Sequence, residues 1–261
     1  MSTPPPLLLD VTDSVATVTL NRPDHLNALS TELQRDLVEV FADLDRDDAV
    51  RVVVLTANGD RAFSAGADLK QMNGHDRAGA AAYLPMSGPG RNLYETVLEC
   101  GKPTLAVLHG WVVGGGLELA MACDLRLAAD DARLMLPESK VGLGANFGSQ
   151  MLPRLVPMGI AFQVLYLGEP LEAVEAHRVG LVNWLAPREE LAERARVIAA
   201  QLVERAPITL RRYKAMVRVG STLPISTALR LDPGPSPYTS ADRLEGAAAF
   251  VEKRKPRWTG R

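Results

Sequence analysis

The fold class is indicated most clearly by residues 110–124, which read Gly110-Trp-Val-Val-Gly-Gly-Gly-Leu-Glu-Leu-Ala-Met-Ala-Cys-Asp124. Its three consecutive glycines follow a predicted strand, Pro103–Leu108, and precede a helix that begins at Leu117. The same order occurs earlier, where the strand Arg51–Thr56 leads through the small residues of Phe63–Lys70 into another helix. A repeated order of strand, glycine turn and helix predicts α/β layers rather than a β-sandwich or a helical bundle.

The remaining periodicity adds further strands and a helical C-terminal part. Strands are predicted at residues 14–20, 125–129 and 133–136, and helices at residues 172–178, 189–204, 208–219 and 241–253. Ser30 and Thr31, with Gln34 after them, predict the start of one more helix. Residues 72–92 are rich in glycine and proline and predict a mobile loop or a broken helix. Tyr83 and Tyr94 flank that segment and could contact a ligand.

Composition and charge exclude several classes of protein. The chain has 261 residues, of which 47% are hydrophobic and 23% charged, and its net charge is −2. It is therefore expected to be globular, with no basic field for nucleic acid and no apolar run that could span a membrane. The two cysteines form no disulfide framework and the N-terminus lacks a signal-peptide pattern, which predicts a cytoplasmic protein. The four histidines are scattered, so no metal site is expected.

The glycine turns match none of the common nucleotide or hydrolase motifs. The chain has no G-x-S-x-G elbow, and the residues after Gly114 fit neither a P-loop nor a dinucleotide fingerprint. Each turn does expose backbone N–H groups at the N-terminus of a helix, where negative charge is favoured. Two such groups aimed at one point would form an oxyanion hole. The alternative is that the glycines serve only close packing of strand and helix.

Two glutamates sharpen the chemical interpretation. Glu118 lies in the first turn of the apolar helix, among leucine, alanine and methionine residues. Glu138 follows Pro137 directly after the predicted strand 133–136. Each could merely complement a helix dipole. Together, two carboxylates beside two glycine turns suggest one site, where N–H groups hold enolate charge and acids move protons.

At this point the sequence resembles the crotonase, or enoyl-CoA hydratase/isomerase, superfamily, from about Leu9 to Arg261. The matching motifs are Asn21-Arg22-Pro23 with Leu26-Asn27-Ala28-Leu29, Phe63–Lys70, Gly110–Asp124, Pro137-Glu138, Gly180–Asn183, Glu245-Gly246 and Ala249–Pro256. The resemblance implies a spiral of repeated ββα units in residues 1–200. It also implies a helical C-terminal region in residues 201–261, which serves trimerisation and caps CoA.

The resemblance further implies a role for individual residues. The N–H groups of Ala67 and Gly115 would hold the thioester oxygen, while Glu138 protonates the α-carbon and Glu118 orients and activates the water. Hydratases of the family use both glutamates, whereas isomerases usually manage with the second alone, so hydration of a 2-enoyl-CoA is favoured. The residues expected to bind CoA or substrate are Leu26, Ala28, Ala65, Asp68, Leu69, Lys70, Gly114, Asn146, Phe250 and Lys253. No separate cofactor is expected, because the substrate carries the CoA, and the expected assembly is a homotrimer or a dimer of trimers.

Three departures from the family pattern limit these inferences. Ala145-Asn146-Phe147-Gly148-Ser149 replaces a stretch that is richer in glycine in hydratases. Asp24 stands where many relatives carry a basic residue near the CoA phosphates, and an acid there should weaken phosphate binding. The proline-rich segment Asp232–Pro237 interrupts a region that is usually helical.

Other functions therefore stay open. The same site could carry out double-bond isomerisation, thioester hydrolysis or decarboxylation, because the fold does not fix the reaction. An alternative of another class is a non-catalytic, oligomeric protein that binds CoA or RNA, although the charge pattern argues against RNA.

Overall fold

The computed structural model describes residues 4–78, 86 and 90–261 and, within them, all side chains except those of residues 75 and 76. The strands are β1 (Leu7–Thr12), β2 (Val15–Leu20), β3 (Val52–Ala57), β4 (Ala62–Ser64), β5 (Thr104–Leu108), β6 (Trp111–Val113), β7 (Leu125–Ala129), β8 (Arg133–Met135), β9 (Leu171–Glu172) and β10 (Trp184–Ala186). The helices are α1 (Thr31–Arg46), α2 (Leu69–Arg77), α3 (Leu93–Glu99), α4 (Gly115–Ala122), α5 (Gly148–Leu155), α6 (Met158–Leu167), α7 (Ala173–Arg178), α8 (Leu191–Val203), α9 (Pro207–Gly220), α10 (Ile225–Ala228) and α11 (Ala241–Glu252). Short 3₁₀ turns cover Pro23–His25, Glu138–Lys140, Arg188–Glu190 and Pro237–Thr239.

The strands form two sheets, and from β3 to β8 successive strands alternate between them. The larger sheet has the order β1-β2-β3-β5-β7-β10, and the smaller has the order β4-β6-β8-β9. Thus β3, β5 and β7 each enter the larger sheet, and β4, β6 and β8 follow them into the smaller one. Apart from the pairs β1–β2 and β8–β9, the pairing is parallel. This repeated ββα arrangement confirms the predicted α/β class and the spiral expected from the resemblance.

The regular elements predicted from periodicity are present, with ends that differ by a residue or two. The helix after Ser30 begins at Thr31, and Ser30 caps it by accepting a hydrogen bond from Leu33 N at 3.3 Å. Among the elements that the structure adds are β1, whose residues are mostly exposed at the sheet edge, the three-residue strands β4 and β6, and the helices α3, α5 and α6. Neither an exposed edge nor so short a strand produces a clear hydrophobic period.

Two predictions concern irregular segments. Helix α2 occupies residues 69–77, and the rest of the prediction for residues 72–92, Tyr83 included, falls mainly outside the described residues. Residues 232–236 are non-helical and Pro237 begins a 3₁₀ turn between α10 and α11, so the expected interruption of the helical region is confirmed. In the part of the chain that the structure describes, no helix is both long and apolar enough to cross a membrane.

Helix α4 positions two of the predicted site residues, Gly115 at its start and Glu118 in its first turn. All eight of its residues are buried, and it begins directly after the three-residue strand β6. Gly116 makes this burial possible, because a Cβ there would lie 2.7 Å from both Cβ and O of Ser64 in β4. The first turn of α4 therefore lies directly against the end of β4, where the other glycine turn starts.

Candidate active site

The two glycine turns face each other. A Cβ on Gly66 would lie 3.1 Å from Gly115 N, and a Cβ on Gly115 would lie 3.7 Å from Ala67 N. The backbone N–H groups predicted as oxyanion donors, those of Ala67 and Gly115, therefore belong to neighbouring segments. Gly115 N also lies at the N-terminus of a buried helix, where the helix dipole favours an anion.

The first turn is fastened to the segment before α1 by backbone hydrogen bonds. Ala65 N donates to Leu26 O at 2.9 Å, and Leu29 N donates to Gly66 O at 2.8 Å. Asn27 is buried between them, and its side-chain amide donates to two backbone carbonyl groups. These bonds fix the backbone around Ala67 before any ligand arrives, which is what an oxyanion site requires.

Asp68 has a structural position that the sequence pattern did not indicate. Its Oδ2 lies 3.3 Å from the Arg22 guanidinium, and its Oδ1 accepts a hydrogen bond from Gln71 N at 3.2 Å. Arg22 also donates to Ala28 O. The carboxylate thus joins the two segments and supports the start of α2, so its predicted contact with CoA competes with partners already present.

Glu118 projects from the first turn of α4 and is only 6% exposed. Its Oε1 accepts a hydrogen bond from Gly148 N at 2.7 Å. Burial raises the pKa of Glu118, while hydrogen bonds from Gly148, Tyr94 and Phe147 act against that rise. The donors thus limit the rise in the pKa of Glu118 that burial causes.

Glu138 stands at the start of a 3₁₀ turn, directly after Pro137. A Cβ on Gly114 would lie 2.8 Å from Glu138 Oε1, so the carboxyl group packs against the second glycine turn. Its buried Oε2 has no hydrogen-bond partner among the described residues. Burial, with a smaller contribution from the charge of Glu118, raises the pKa of Glu138 to about 7. Near neutral pH this group is able to hold or release a proton.

Tyr94 and Phe147 lie beside Glu118, and the sequence pattern gave neither a role at this carboxylate. Tyr94 belongs to α3 and donates to Glu118 through its hydroxyl group. The two aromatic rings stack, with centroids 5.3 Å apart and an interplanar angle of 29°. The backbone N–H groups that reach Glu118 are those of Phe147 and Gly148, the two residues after Asn146.

The other residues predicted to bind CoA or substrate lie in separate parts of the structure. Leu26, Ala28, Ala65, Leu69 and Lys70 surround the first glycine turn, and the side chains of Leu69 and Lys70 are exposed. Phe250 and Lys253 lie at the end of α11, where Phe250 is 85% exposed. Asn146 and Asp24 are also exposed. The contacts of these residues with CoA stay predictions.

Comparison with known proteins identifies the family. The family model described as Enoyl-CoA hydratase/isomerase matches residues 10–261. This chain belongs to the enoyl-CoA hydratase/isomerase family. It is similar to (E)-benzylidenesuccinyl-CoA hydratase of Thauera aromatica, at 38% identity over 98% of this chain and 99% of that protein. It is also similar to the short-chain-enoyl-CoA hydratase of Clostridium acetobutylicum, at 34% identity over 95% of each chain.

A solved member of the enoyl-CoA hydratase/isomerase family has the same fold. The enoyl-CoA hydratase from Bacillus anthracis matches with a TM-score of 0.89 at 32% identity, covering 98% of this chain and 100% of that one. The resemblance and the crotonase fold expected from the sequence are therefore confirmed.

Proposed function

We propose that this protein is an enoyl-CoA hydratase that adds water across the double bond of a 2-enoyl-CoA thioester. The observation that carries this proposal is the presence of two carboxyl groups, buried Glu118 and half-buried Glu138, beside two facing glycine turns. Hydratase names among the relatives support the same reaction. Hydration also uses both carboxylates, whereas isomerisation leaves Glu118 without a defined task.

In this mechanism the N–H groups of Ala67 and Gly115 donate to the thioester oxygen. Negative charge grows on that oxygen as the water oxygen bonds to the β-carbon and an enolate forms. Donors fixed before the reaction stabilise this charge by about 3–4 kcal/mol each. The bonded backbone around Gly66 supports this role, because it fixes the direction of the Ala67 N–H group.

The two carboxyl groups divide the proton transfers. Glu118, which is held by several donors, accepts a proton from the attacking water. Glu138, with its pKa raised to about 7, delivers its proton to the α-carbon of the enolate. One water is added in total, and the proton left on Glu118 must return to Glu138 or to solvent before the next cycle.

The acyl group is the part of the substrate on which the relatives differ. Their names include a short-chain enoyl-CoA and (E)-benzylidenesuccinyl-CoA, which carries a phenyl ring and a second carboxylate. We propose an acyl-CoA thioester with a conjugated double bond as the shared substrate class. Because Phe147 adds bulk beside Glu118, both a short linear and an aryl-substituted enoyl-CoA belong in the first assay.

Assembly and location belong to the proposal as well. Many large apolar side chains are exposed on the C-terminal helices and turns, including Tyr213, Val217, Leu229, Tyr238, Leu244 and Phe250. This amount of exposed apolar surface supports the predicted homotrimer or dimer of trimers through residues 201–261. A cytoplasmic location stays the proposal that rests on cysteine usage.

The direct test follows the conjugated-thioester absorbance when purified protein is mixed with crotonyl-CoA. Glu118→Gln and Glu138→Gln are compared with wild type, and Glu189→Gln, an exposed glutamate, is the matched control. We expect rapid loss of absorbance with wild type and the control, large decreases in rate with both site variants, and a product heavier by one water.

The alternatives give different products. Thioester hydrolysis releases a free thiol, and isomerisation forms the conjugated thioester from a 3-enoyl-CoA rather than consuming it. Saturable CoA-ester binding without loss of absorbance for linear or aryl enoyl-CoA would contradict the hydratase proposal and favour a binding protein.

A further inference from the structure

Helix α3 carries Tyr94, whose side chain reaches the candidate site, and the start of this helix is fixed by hydrogen bonds. Asn92 and Glu95 form a reciprocal capping box at its N-terminus, with both hydrogen bonds at 3.0 Å. Leu93 and Val97 are buried in the core on either side of Tyr94 along the helix. The position of the Tyr94 ring is therefore set by the helix rather than by the loop before it.

The Tyr94 side chain lies against Gly115, Glu118 and Phe147. Its hydroxyl oxygen would lie 2.6 Å from a Cβ on Gly115, so it sits directly over the second glycine turn. The same hydroxyl donates to the Glu118 carboxylate. Its ring stacks on Phe147, whose own N–H group also donates to Glu118.

We propose that Tyr94 is a positioning residue that fixes the rotation of the Glu118 carboxylate. The last torsion of a glutamate is broad and roughly two-fold, so one donor to one oxygen leaves its rotation poorly defined. Gly148 N supplies one donor, and the Tyr94 hydroxyl supplies a second from another helix. Hydrogen bonds from a hydroxyl group to a carboxylate are among the stronger ones in proteins. This inference rests on the proposed role of Glu118 as the base.

The test is Tyr94→Phe, which keeps the ring and its stacking on Phe147 and removes only the hydroxyl group. We expect kcat for enoyl-CoA hydration to fall about 10- to 100-fold, the range for a lost hydrogen bond to a charged group. KM should change less than about two-fold, since Tyr94 acts through Glu118 and not on CoA. Tyr166→Phe, an exposed tyrosine on α6 whose ring stacks on Phe162, is the matched control and should match wild type.

The pH profile separates positioning from packing. Removing a donor to the ionised carboxylate raises the pKa of Glu118, so the acidic limb of kcat should move to higher pH in Tyr94→Phe. The titratable groups that face Glu118 are Tyr94 and Glu138, and Glu138 is unchanged in this variant. Phe147→Leu weakens the stacking but keeps the hydroxyl, so it should lower thermal stability without moving that limb.

A second measurement does not depend on activity. Carbon-13 NMR of glutamate-labelled protein, with the Glu118 signal assigned from Glu118→Gln, reports the pKa of that carboxyl group. We expect a higher pKa in Tyr94→Phe than in wild type. An unchanged Glu118 titration, or equal effects of Tyr94→Phe and Phe147→Leu on kcat and pH profile, would overturn the inference. If wild type hydrates no enoyl-CoA, the proposed function fails, and the NMR titration still decides the role of Tyr94.

Discussion

Glu118 lies in a helix in which every residue is buried, whereas Glu138 is the first residue of a short 3₁₀ turn that has no buried residue. Glu118 is held by Gly148, Tyr94 and Phe147, which come from α3 and from the start of α5. Glu138 receives a hydrogen bond from its own backbone N–H, while its buried Oε2 lacks a partner among the described residues.

This comparison shows that burial alone does not decide the protonation of a site carboxyl group. The more deeply buried Glu118 is the one with several donors, and its donors oppose the effect of burial on its pKa. Glu138 has fewer donors and a neighbouring negative charge, and its pKa reaches about 7. Since a base must be ionised and an acid protonated, this difference supports the proposal that Glu118 is the base and Glu138 the acid.

The largest expected effect comes from removing each carboxylate in turn. Glu138→Gln should lower kcat for hydration about 10³- to 10⁴-fold, and Glu118→Gln about 10²- to 10³-fold, within the range of general acid–base catalysis. Assays with a 3-enoyl-CoA sharpen the comparison, because isomerisation needs only Glu138, so Glu118→Gln should retain more of that activity. Equal losses in both reactions for both variants would contradict the division of roles.

An intermediate effect is expected from the glycines that pack on the two carboxylates. Gly114 has φ +54° and ψ −125°, and a Cβ there would lie 2.8 Å from Glu138 Oε1. Gly148 lacks a positive φ, and its Cβ would lie 3.3 Å from Glu118 Oε1. Gly114→Ala should therefore lower kcat about 100-fold and destabilise the fold by about 1–3 kcal/mol, and Gly148→Ala should cost less than about 10-fold. Steady-state kinetics and thermal unfolding measure the two effects. A larger decrease in kcat for Gly148→Ala than for Gly114→Ala would contradict this prediction.

The smallest effect is on stability and has a definite sign. Because the folded-state pKa of Glu138 is about 7 against an ordinary 4.5, the folded protein binds more protons between these values, and the free energy of unfolding falls as pH rises. Glu138→Gln removes that penalty. Its Tm should equal that of wild type near pH 4 and exceed it by roughly 2–6 °C at pH 8. A difference in Tm that does not change with pH would show that Glu138 carries no such shift.

Much of the site could be predicted from sequence because its parts are local. The two glycine turns, Glu118 and Glu138 each lie next to a predicted strand or helix, and the resemblance covers nearly the whole chain. The fold class follows from the repeated order of strand, glycine turn and helix.

Contacts between distant segments could not be predicted in this way. Tyr94 meets Glu118 only because α3 packs on α4, and no spacing along the chain encodes that contact. Likewise, Arg22 and Asp68 are 46 residues apart, and their pairing depends on the neighbouring backbone hydrogen bonds. The predicted contacts of Phe250 and Lys253 with CoA likewise involve side chains at the end of α11, far along the sequence from both glycine turns.

The most direct test of the account is a carbon-13 NMR titration of the glutamate carboxyl groups in the unliganded protein. Glu118→Gln and Glu138→Gln assign the two signals. We expect Glu138 to titrate near pH 7 and Glu118 to titrate at a lower pH, because more hydrogen-bond donors face Glu118. Titration of Glu138 near its ordinary value, or of Glu118 as the group that retains its proton at pH 7, would contradict the assignment of acid and base.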